Sequence, residues 1–431
     1  MRLAGILSVL ACWAVLAAPP AVAHVAILGS TPAEGTRLTS APGLVSVRLS
    51  ENIGIQANSL KVVDVRGATV STGPVFQPGD DAEEVAIRVK PGLPDGTYLV
   101  QYAFISEDSH PVRGGFGFVV GTGPLINASG AISAADSTDP TVDVATRAVR
   151  WLGYAGVVLA GGLVFLLYCR PTHGPVARRL VLGGCVLIGG SAILSLGLEG
   201  AYVAGAGLSR VFAPDLVATT LAAAYGKLLV VRTVAALALF IAARRLSDGA
   251  RNRGRFENIA MVSGFLVLLS SAAAGHAIST QVMFLSLLAD LAHYAGIAVW
   301  LGGVVQLALC ARQGKDLGPA MARFSPIAKI SVAVVVLSGA LMSVAYLGSV
   351  SALVDSTYGL LLLGKVIGFG LLLVLADQCR LAVRRNATAP SGTTLVETEI
   401  GTLRRVLVIE VALAAAVLAV AAVLVTTGPP H

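Results

Sequence analysis

The hydrophobic pattern changes character about a third of the way along the chain. Residues 24–121 contain short stretches in which apolar and polar residues alternate, such as Leu44–Leu49 and Glu84–Val89. Alternation with a period of two predicts half-buried β-strands. Proline and glycine residues separate these stretches and no helical pattern intervenes, so the sequence predicts a small antiparallel sandwich or barrel.

From residue 149 onwards the apolar runs become long enough to cross a bilayer, which takes about 20 residues. A polar segment, residues 122–146, precedes them and is typical of a flexible linker. The sequence therefore predicts an all-α integral membrane domain over residues 147–431 with eight transmembrane helices, near 149–169, 180–201, 225–243, 258–276, 285–310, 327–348, 358–378 and 404–426.

Residues 1–23 combine a basic residue, an apolar run and a small-x-small end. This pattern predicts a secretory signal peptide that is cleaved after Ala23, so that the mature chain begins at His24. The composition agrees with export to a membrane. With 55% apolar and only 13% charged residues, the chain is neither an ordinary soluble enzyme nor disordered.

The net charge of +7 reflects the orientation of the protein in the membrane and does not indicate nucleic-acid binding. Lys and Arg residues cluster in the loops after the first, third, fifth and seventh predicted spans, whereas the loops between spans on the other side contain Arg210 alone. Positive loops face the cytoplasm. We therefore expect a multi-pass protein of the bacterial cytoplasmic membrane, with the N-terminal domain and the C-terminus on the extracytoplasmic side.

The β domain contains one candidate metal site. A free amino-terminal His24 offers its α-amine and its imidazole Nδ1 to one ion, and Asp108 and His110 project from the same face of an extended backbone. Three nitrogens and a carboxylate oxygen suit Cu(II). The alternative is that the first residue has no special role and that the Asp-x-His segment makes local hydrogen bonds.

The membrane domain contains a second candidate site. Asp290 and His293 lie three residues apart on one helix face, at the same predicted depth as His276. Ionisable residues inside a membrane are costly and are functional candidates by default. These residues could receive a cation from the outer side, or Asp290 and His293 could bond each other or cap neighbouring helices.

The membrane domain has three further features. Residues 154–169 and 294–310 share a Tyr-Ala-Gly, Gly-Gly and Cys pattern, which indicates two parallel four-helix halves. The inner-end cysteines could pass Cu(I) inward or act as small apolar residues; they are Cys169, Cys185, Cys310 and Cys379. Four charged residues within spans could pair between helices or relay protons, namely Arg232, Lys365, Asp377 and Glu410.

The β domain resembles the CopC family of periplasmic copper-binding proteins. The resemblance rests on His24 and on residues 30–35 (STPAEG), 41–42 (AP), 49–51 (LSE) and 108–114 (DSHPVRG). It implies a cupredoxin-like Greek-key barrel in which His24, Asp108 and His110 bind Cu(II), with Glu51 beside them. Some members add a methionine-rich Cu(I) site, but residues 24–121 contain no Met, so we expect Cu(II) alone.

The helical region resembles the CopD family of copper-resistance membrane proteins. The matching segments are 270–277 (SSAAAGHA), 290–296 (DLAHYAG), 300–303 (WLGG), 323–325 (RFS), 358–365 (YGLLLLGK) and 403–410 (LRRVLVIE). That family is associated with movement of copper across the cytoplasmic membrane, and fusions of CopC-like and CopD-like domains occur.

Together these observations predict a copper homeostasis protein without enzymatic activity. It binds Cu(II) outside the membrane and passes copper inward through the membrane domain, with periplasmic or cytosolic copper chaperones as candidate partners. Two alternatives stay open at this point. One is a copper-dependent redox or electron-transfer membrane protein, and the other is a copper sensor without transport.

Overall fold

The computed structural model of the chain describes residues 27–50, 59–81, 83–105, 111–124, 139–169, 175–249, 251–274, 283–313, 317–347, 351–387 and 397–425. The chain divides into two compact units. One contains the β-strands together with residues 195–227, and the other contains residues 147–194 and the chain from residue 228 onwards.

The β domain consists of β1 (Ile27–Thr31), β2 (Arg37–Leu38), β3 (Leu44–Leu49), β4 (Leu60–Asp64), β5 (Ser71–Phe76), β6 (Glu84–Val89), β7 (Gly96–Ile105) and β8 (Pro111–Val120). They form two four-stranded sheets, in the orders β1-β3-β6-β5 and β2-β8-β7-β4. All pairs are antiparallel except β2 with β8.

Alternation along β3 places one side of this strand in the core. Val45, Val47 and Leu49 of β3 are fully buried, whereas Arg48 between them is exposed. They belong to one apolar cluster with residues of both sheets, among them Val62, Val100, Phe104 and Phe118. Full burial of each such side chain is worth about 1.5–3 kcal/mol. The predicted N-terminal β domain is therefore confirmed.

The first sheet brings the beginning of β1 to the end of β3, because Ile27 is paired with Leu49. β5 begins opposite Val89 and ends with Phe76 opposite Ala86, so it runs toward the same end of the sheet. The chain before β1 and the chain after β3 therefore leave from one end.

The second sheet is aligned with the first by the passage from β4 to β5. The Val70 amide donates to the Val62 carbonyl at 2.9 Å, and the Val62 amide donates to Ser71 Oγ at 3.2 Å. The chain thus runs back along β4 into β5, toward the end of the sheet at which β4 begins with Leu60. Leu60 pairs with Tyr102 near the end of β7. The last residue of β7 and the first of β8 therefore lie at the same end of the sandwich as Ile27 and Leu49.

Long helices are present at each of the eight predicted positions. They are α1 (Pro140–Cys169), α2 (Pro175–Val203), α4 (Ala224–Ser247), α5 (Arg253–Ala272), α6 (Met283–Gln313), α7 (Leu317–Leu347), α9 (Thr357–Ala387) and α10 (Glu397–Leu424), with the shorter α3 (Pro214–Ala222) and α8 (Ala352–Asp355) between them.

Seven of these helices, within the described ranges, are long and apolar enough to cross a membrane. The other long helix, α5, has 20 residues, and Arg253, Arg255 and Glu257 occupy its beginning. These charges lower the hydropathy of an already short helix. The protein is therefore a multi-pass membrane protein, and an eighth crossing at α5 stays a prediction.

Glycines let α1 approach two neighbours closely. A Cβ built on Gly156 would lie 2.9 Å from the carbonyl oxygen of Gly184 in α2, and one built on Gly302 of α6 would lie 2.5 Å from the Gly162 nitrogen. The Tyr154 and Tyr294 rings meet with their centroids 6.1 Å apart. Small residues allow such close helix contact in membranes. The two helices that share the repeated sequence pattern thus pack against each other.

Candidate functional site

The predicted ligands of the β domain, His24, Asp108 and His110, lie outside the described residues, as does Glu51. The described residues that flank them in the chain all lie at one end of the sandwich. These flanking residues are Ile27, Leu49, Ile105 and Pro111.

In the membrane unit, His276 also lies outside the described residues, but Asp290 and His293 are described. Both side chains belong to α6 and are nearly excluded from the surface, with 6% and 8% exposed. Asp290 Oδ1 and His293 Nε2 are buried, and neither has a hydrogen-bond partner in the described part of the chain. Two atoms that could bind a metal ion thus lie one turn apart on one helix face, without a hydrogen-bond partner among the described residues.

The other nitrogen of the His293 ring contacts the neighbouring helix α7. His293 Nδ1 lies 3.0 Å from the hydroxyl oxygen of Ser338, and this hydroxyl lies 2.6 Å from the Val334 carbonyl oxygen. The next residue, Gly339, leaves room for the imidazole, because a Cβ there would lie 3.3 Å from His293 Cε1. Sequence analysis did not identify Ser338, because a serine within an apolar helix has no distinctive spacing.

A lysine lies near these two residues. Lys365 of α9 is close enough to interact electrostatically with both Asp290 and His293, and Tyr358 of the same helix is close enough to interact with Asp290. Sequence analysis identified Lys365 but did not choose its partner. The structure places it near the candidate site, where it and the Asp290 carboxyl group influence each other's ionisation.

The remaining charged residues within the helices lie in different surroundings. The Arg232 guanidinium donates to the Ser270 carbonyl oxygen at 2.6 Å, which joins α4 to α5. Glu410 of α10 is almost fully buried, and its Oε1 has no hydrogen-bond partner among the residues described. Asp377 has an interaction partner.

The thiols form no metal cluster in the described ranges, where no group of three or more His, Cys, Asp or Glu residues could hold an ion. Cys169 and Cys185 are buried and Cys310 is half-buried. The Cys169 carbonyl oxygen, rather than its sulfur, accepts a hydrogen bond of 2.8 Å from Arg323.

Comparisons with known proteins bear on both parts of the chain. Three family models match: the CopC domain over residues 27–121, the copper resistance protein D-like N-terminal domain over 141–283, and copper resistance protein D over 318–424. Together they account for the β domain and most of the helical region.

Two curated relatives give the same result. The copper transport protein CutJ of Bacillus subtilis is 28% identical over 397 residues, which are 88% of this chain and 72% of the relative. Copper resistance protein C of Pseudomonas syringae pv. tomato is 31% identical over 105 residues, which are 23% of this chain and 82% of that protein.

Among solved structures, the crystal structure of CopC from Methylosinus trichosporium OB3b is similar at 24% identity, with a TM-score of 0.21; the match covers 22% of this chain and 93% of that one. The family models and curated relatives match both the β domain and the helical region. This chain belongs to the copper resistance proteins in which a CopC domain is fused to a CopD membrane domain.

Proposed function

We propose that the protein captures Cu(II) on the extracytoplasmic side of the bacterial cytoplasmic membrane and passes copper to its membrane domain for uptake. His24, Asp108 and His110 are the proposed Cu(II) ligands, with Glu51 beside them. His276, Asp290 and His293 are the proposed transfer site. The role is transport rather than catalysis, and periplasmic or cytosolic copper chaperones are candidate partners.

The proposed capture site is consistent with the strand register. His24 precedes β1 by only a few residues, Glu51 closely follows β3, and residues 106–110 connect β7 to β8. All three segments start from the same end of the sandwich. Short connections from one end can bring His24, Asp108 and His110 to a common ion, with Glu51 beside them, without any change in the strands.

The observation that carries the proposal for the membrane domain is the pair of buried donor atoms, Asp290 Oδ1 and His293 Nε2, for which the described residues supply no partner. A polar atom left unpaired inside a membrane protein costs several kcal/mol, in the range of about 2–7 kcal/mol. A carboxylate oxygen and an imidazole nitrogen are ligands for borderline divalent ions such as Cu(II). Binding of the transported ion would satisfy both atoms.

Lys365 gives this site the character of a transfer site. Its ammonium group opposes a cation held between Asp290 and His293, so the site binds copper less tightly than the same donors would without it. A site on a transport path must bind strongly enough to accept the ion and weakly enough to release it. We interpret the lysine as the element that permits release.

Within the same proposal, the β domain, residues 24–121, is a cupredoxin-like Greek-key barrel, and it follows a cleaved signal peptide, residues 1–23. A linker, residues 122–146, leads to a membrane domain of eight spans, residues 147–431. The part of this linker from Pro140 onwards already belongs to α1 and is helical rather than flexible. Both ends of the mature chain are extracytoplasmic, and copper moves inward.

Copper accumulation in cells tests the transport proposal. We expect cells that express the protein to accumulate more copper than cells without the gene. Asp290→Asn combined with His293→Gln is expected to abolish the difference, and His24→Ala to reduce it at low external copper. His173→Gln, which removes an imidazole from the loop after the first span, is the matched control. Equal accumulation with and without the gene would contradict transport.

The capture site has its own test in the exported domain. Because the amino-terminal nitrogen is a proposed ligand, one glycine added before His24 is expected to weaken Cu(II) binding at least about tenfold. Isothermal titration with buffered Cu(II), on chains whose first residue is verified by mass spectrometry, measures this. Unchanged affinity in the extended chain would exclude His24 as an amino-terminal chelate.

A further inference from the structure

The Ser338 hydroxyl has one proton, and the geometry decides where it goes. Ser338 Oγ lies 2.6 Å from the Val334 carbonyl oxygen one turn earlier and 3.3 Å from that of Val335. A carbonyl oxygen only accepts, so Ser338 is the donor at the shorter of these contacts. Its proton is therefore committed to the backbone of α7.

The same oxygen lies 3.0 Å from His293 Nδ1. Since its proton is used, Ser338 can only accept there, and Nδ1 must carry the hydrogen. In a neutral imidazole the second nitrogen then has a free lone pair. That nitrogen, Nε2, is the buried atom without a partner in the described ranges.

The ring is also held in place by packing. His293 is 8% exposed and Ser338 6%, and the imidazole lies against Gly339, where a side chain would reduce the space available to it. Asp290, one turn earlier on α6, leaves Oδ1 unpartnered in the same described region. The helix face thus presents one lone pair and one carboxylate oxygen in a defined direction.

We infer that Ser338 is a positioning residue for copper transfer: by accepting the Nδ1 hydrogen of His293, it fixes the ring in the tautomer and orientation that presents Nε2 as the ligand. The inference rests on the proposed function only for the identity of the ion. A hydrogen-bond acceptor on the non-ligating nitrogen is the usual partner of a metal-binding histidine. Here a serine supplies it, and the serine is oriented by its own helix.

The tautomer can be measured without copper. Nitrogen-15 NMR of the metal-free, full-length protein in detergent, labelled at histidine, distinguishes protonated from unprotonated ring nitrogens, and His293→Gln identifies the His293 signals by difference. We expect Nδ1 to be protonated and Nε2 unprotonated at neutral pH. A protonated Nε2 in the unaltered protein would overturn the inference, whatever any variant does.

Copper binding provides the second measurement. In a full chain that lacks the proposed capture ligands through His24→Ala, Asp108→Ala and His110→Ala, buffered Cu(II) reports the membrane site alone. Ser338→Ala is expected to weaken binding about 10–100-fold. Ser338→Thr, which keeps the hydroxyl, is expected to restore it.

Ser343→Ala is the matched control, because Ser343 makes the same kind of bond, to the Gly339 carbonyl at 2.8 Å, on the same helix. We expect it to bind Cu(II) like the unaltered protein. Unchanged affinity in Ser338→Ala, with binding lost in His293→Gln, would overturn the positioning role. If His293→Gln also binds normally, the proposed membrane site itself is wrong, and the NMR result still decides the tautomer.

Discussion

At the residue scale, hydrogen bonds to one side chain, that of Asp95, join the beginning of β7 to the end of β8. Asp95, just before β7, accepts hydrogen bonds from the Thr122 amide at 3.0 Å and the Thr122 hydroxyl at 3.1 Å, just after β8. Gly121 between them has φ of 68°, and a Cβ there would overlap the Asp95 carboxylate. Because these hydrogen bonds favour the ionised form, the pKa of Asp95 lies below its ordinary value.

A depressed carboxyl pKa makes stability depend on pH in one direction. The stabilisation is fully present above the pKa of the unfolded chain, near 4, and is lost as the pH falls through the lower pKa of the folded domain. We therefore expect Asp95→Asn to lower the stability of the β domain at pH 6 and to reduce the loss of stability on acidification below about pH 4.

Acid and urea unfolding of residues 24–124, followed by circular dichroism, measures this effect. A stand-alone relative, copper resistance protein C, matches over 82% of its length, which supports the use of this fragment. Glu34→Gln, which removes an exposed carboxylate elsewhere, is the matched control. Parallel pH curves for the unaltered domain and Asp95→Asn would contradict the assignment.

At the scale of elements, the contact between α1 and α6 depends on residues that have no side chain. A Cβ on Gly161 would lie only 2.2 Å from the Ala298 carbonyl oxygen, and one on Gly303 would overlap the Phe324 ring. Phe324 in turn packs against Phe165 with the ring centroids 5.3 Å apart. Among the glycines that recur in the two halves of the sequence, Gly161, Gly162 and Gly302 therefore let the two repeat helices touch, whereas Gly303 makes room for Phe324 of α7.

This contact predicts a selective loss of stability. Gly302→Val is expected to lower the free energy of unfolding by about 1–3 kcal/mol, because the new side chain must displace the α1 backbone. Thermal unfolding in detergent, followed through the tryptophan fluorescence of the protein, measures it. Gly190→Val in α2, where a Cβ meets nothing within 4 Å, is the control. Equal destabilisation by both variants would mean that helix propensity, rather than the α1–α6 contact, sets the cost.

At the scale of the whole molecule, the distribution of charge predicts the orientation in the membrane. Arg residues cluster where α4 leads into α5 (residues 244–255) and where α9 leads into α10 (residues 380–405), whereas the segment between α2 and α4 contains Arg210, paired with Asp215 at 2.6 Å. By the positive-inside rule we expect the Arg-rich segments to face the cytoplasm. In that orientation we expect the acidic β domain to meet cations before they reach the membrane.

Site-directed labelling checks this orientation. In a variant without the four cysteines of the membrane domain, a membrane-impermeant maleimide is expected to label Thr427→Cys in intact cells. It is expected to label Ala250→Cys only after permeabilisation. Labelling of Ala250→Cys in intact cells would show that the topology is the reverse of the predicted one. It would then contradict the proposed direction of copper movement as well.

The sequence by itself determined the two-part architecture, the positions of some strands, such as β3 and β6, and of the long helices, and Asp290 and His293 as candidates. These are local properties, since alternation, apolar length and spacing along one helix can be read without knowing the neighbours. It did not determine whether α5 crosses the membrane, where charges at one helix end compete with a short apolar run.

Only the tertiary structure decided what meets across elements. It brought Ser338 of α7 and Lys365 of α9 to the Asp290–His293 face, joined Arg232 to Ser270, and aligned the ends of β1, β3 and β7. Each of these depends on helix rotation or strand register. Packing of the whole chain sets both, because a rotation or a one-residue shift leaves the local pattern readable while it changes every partner.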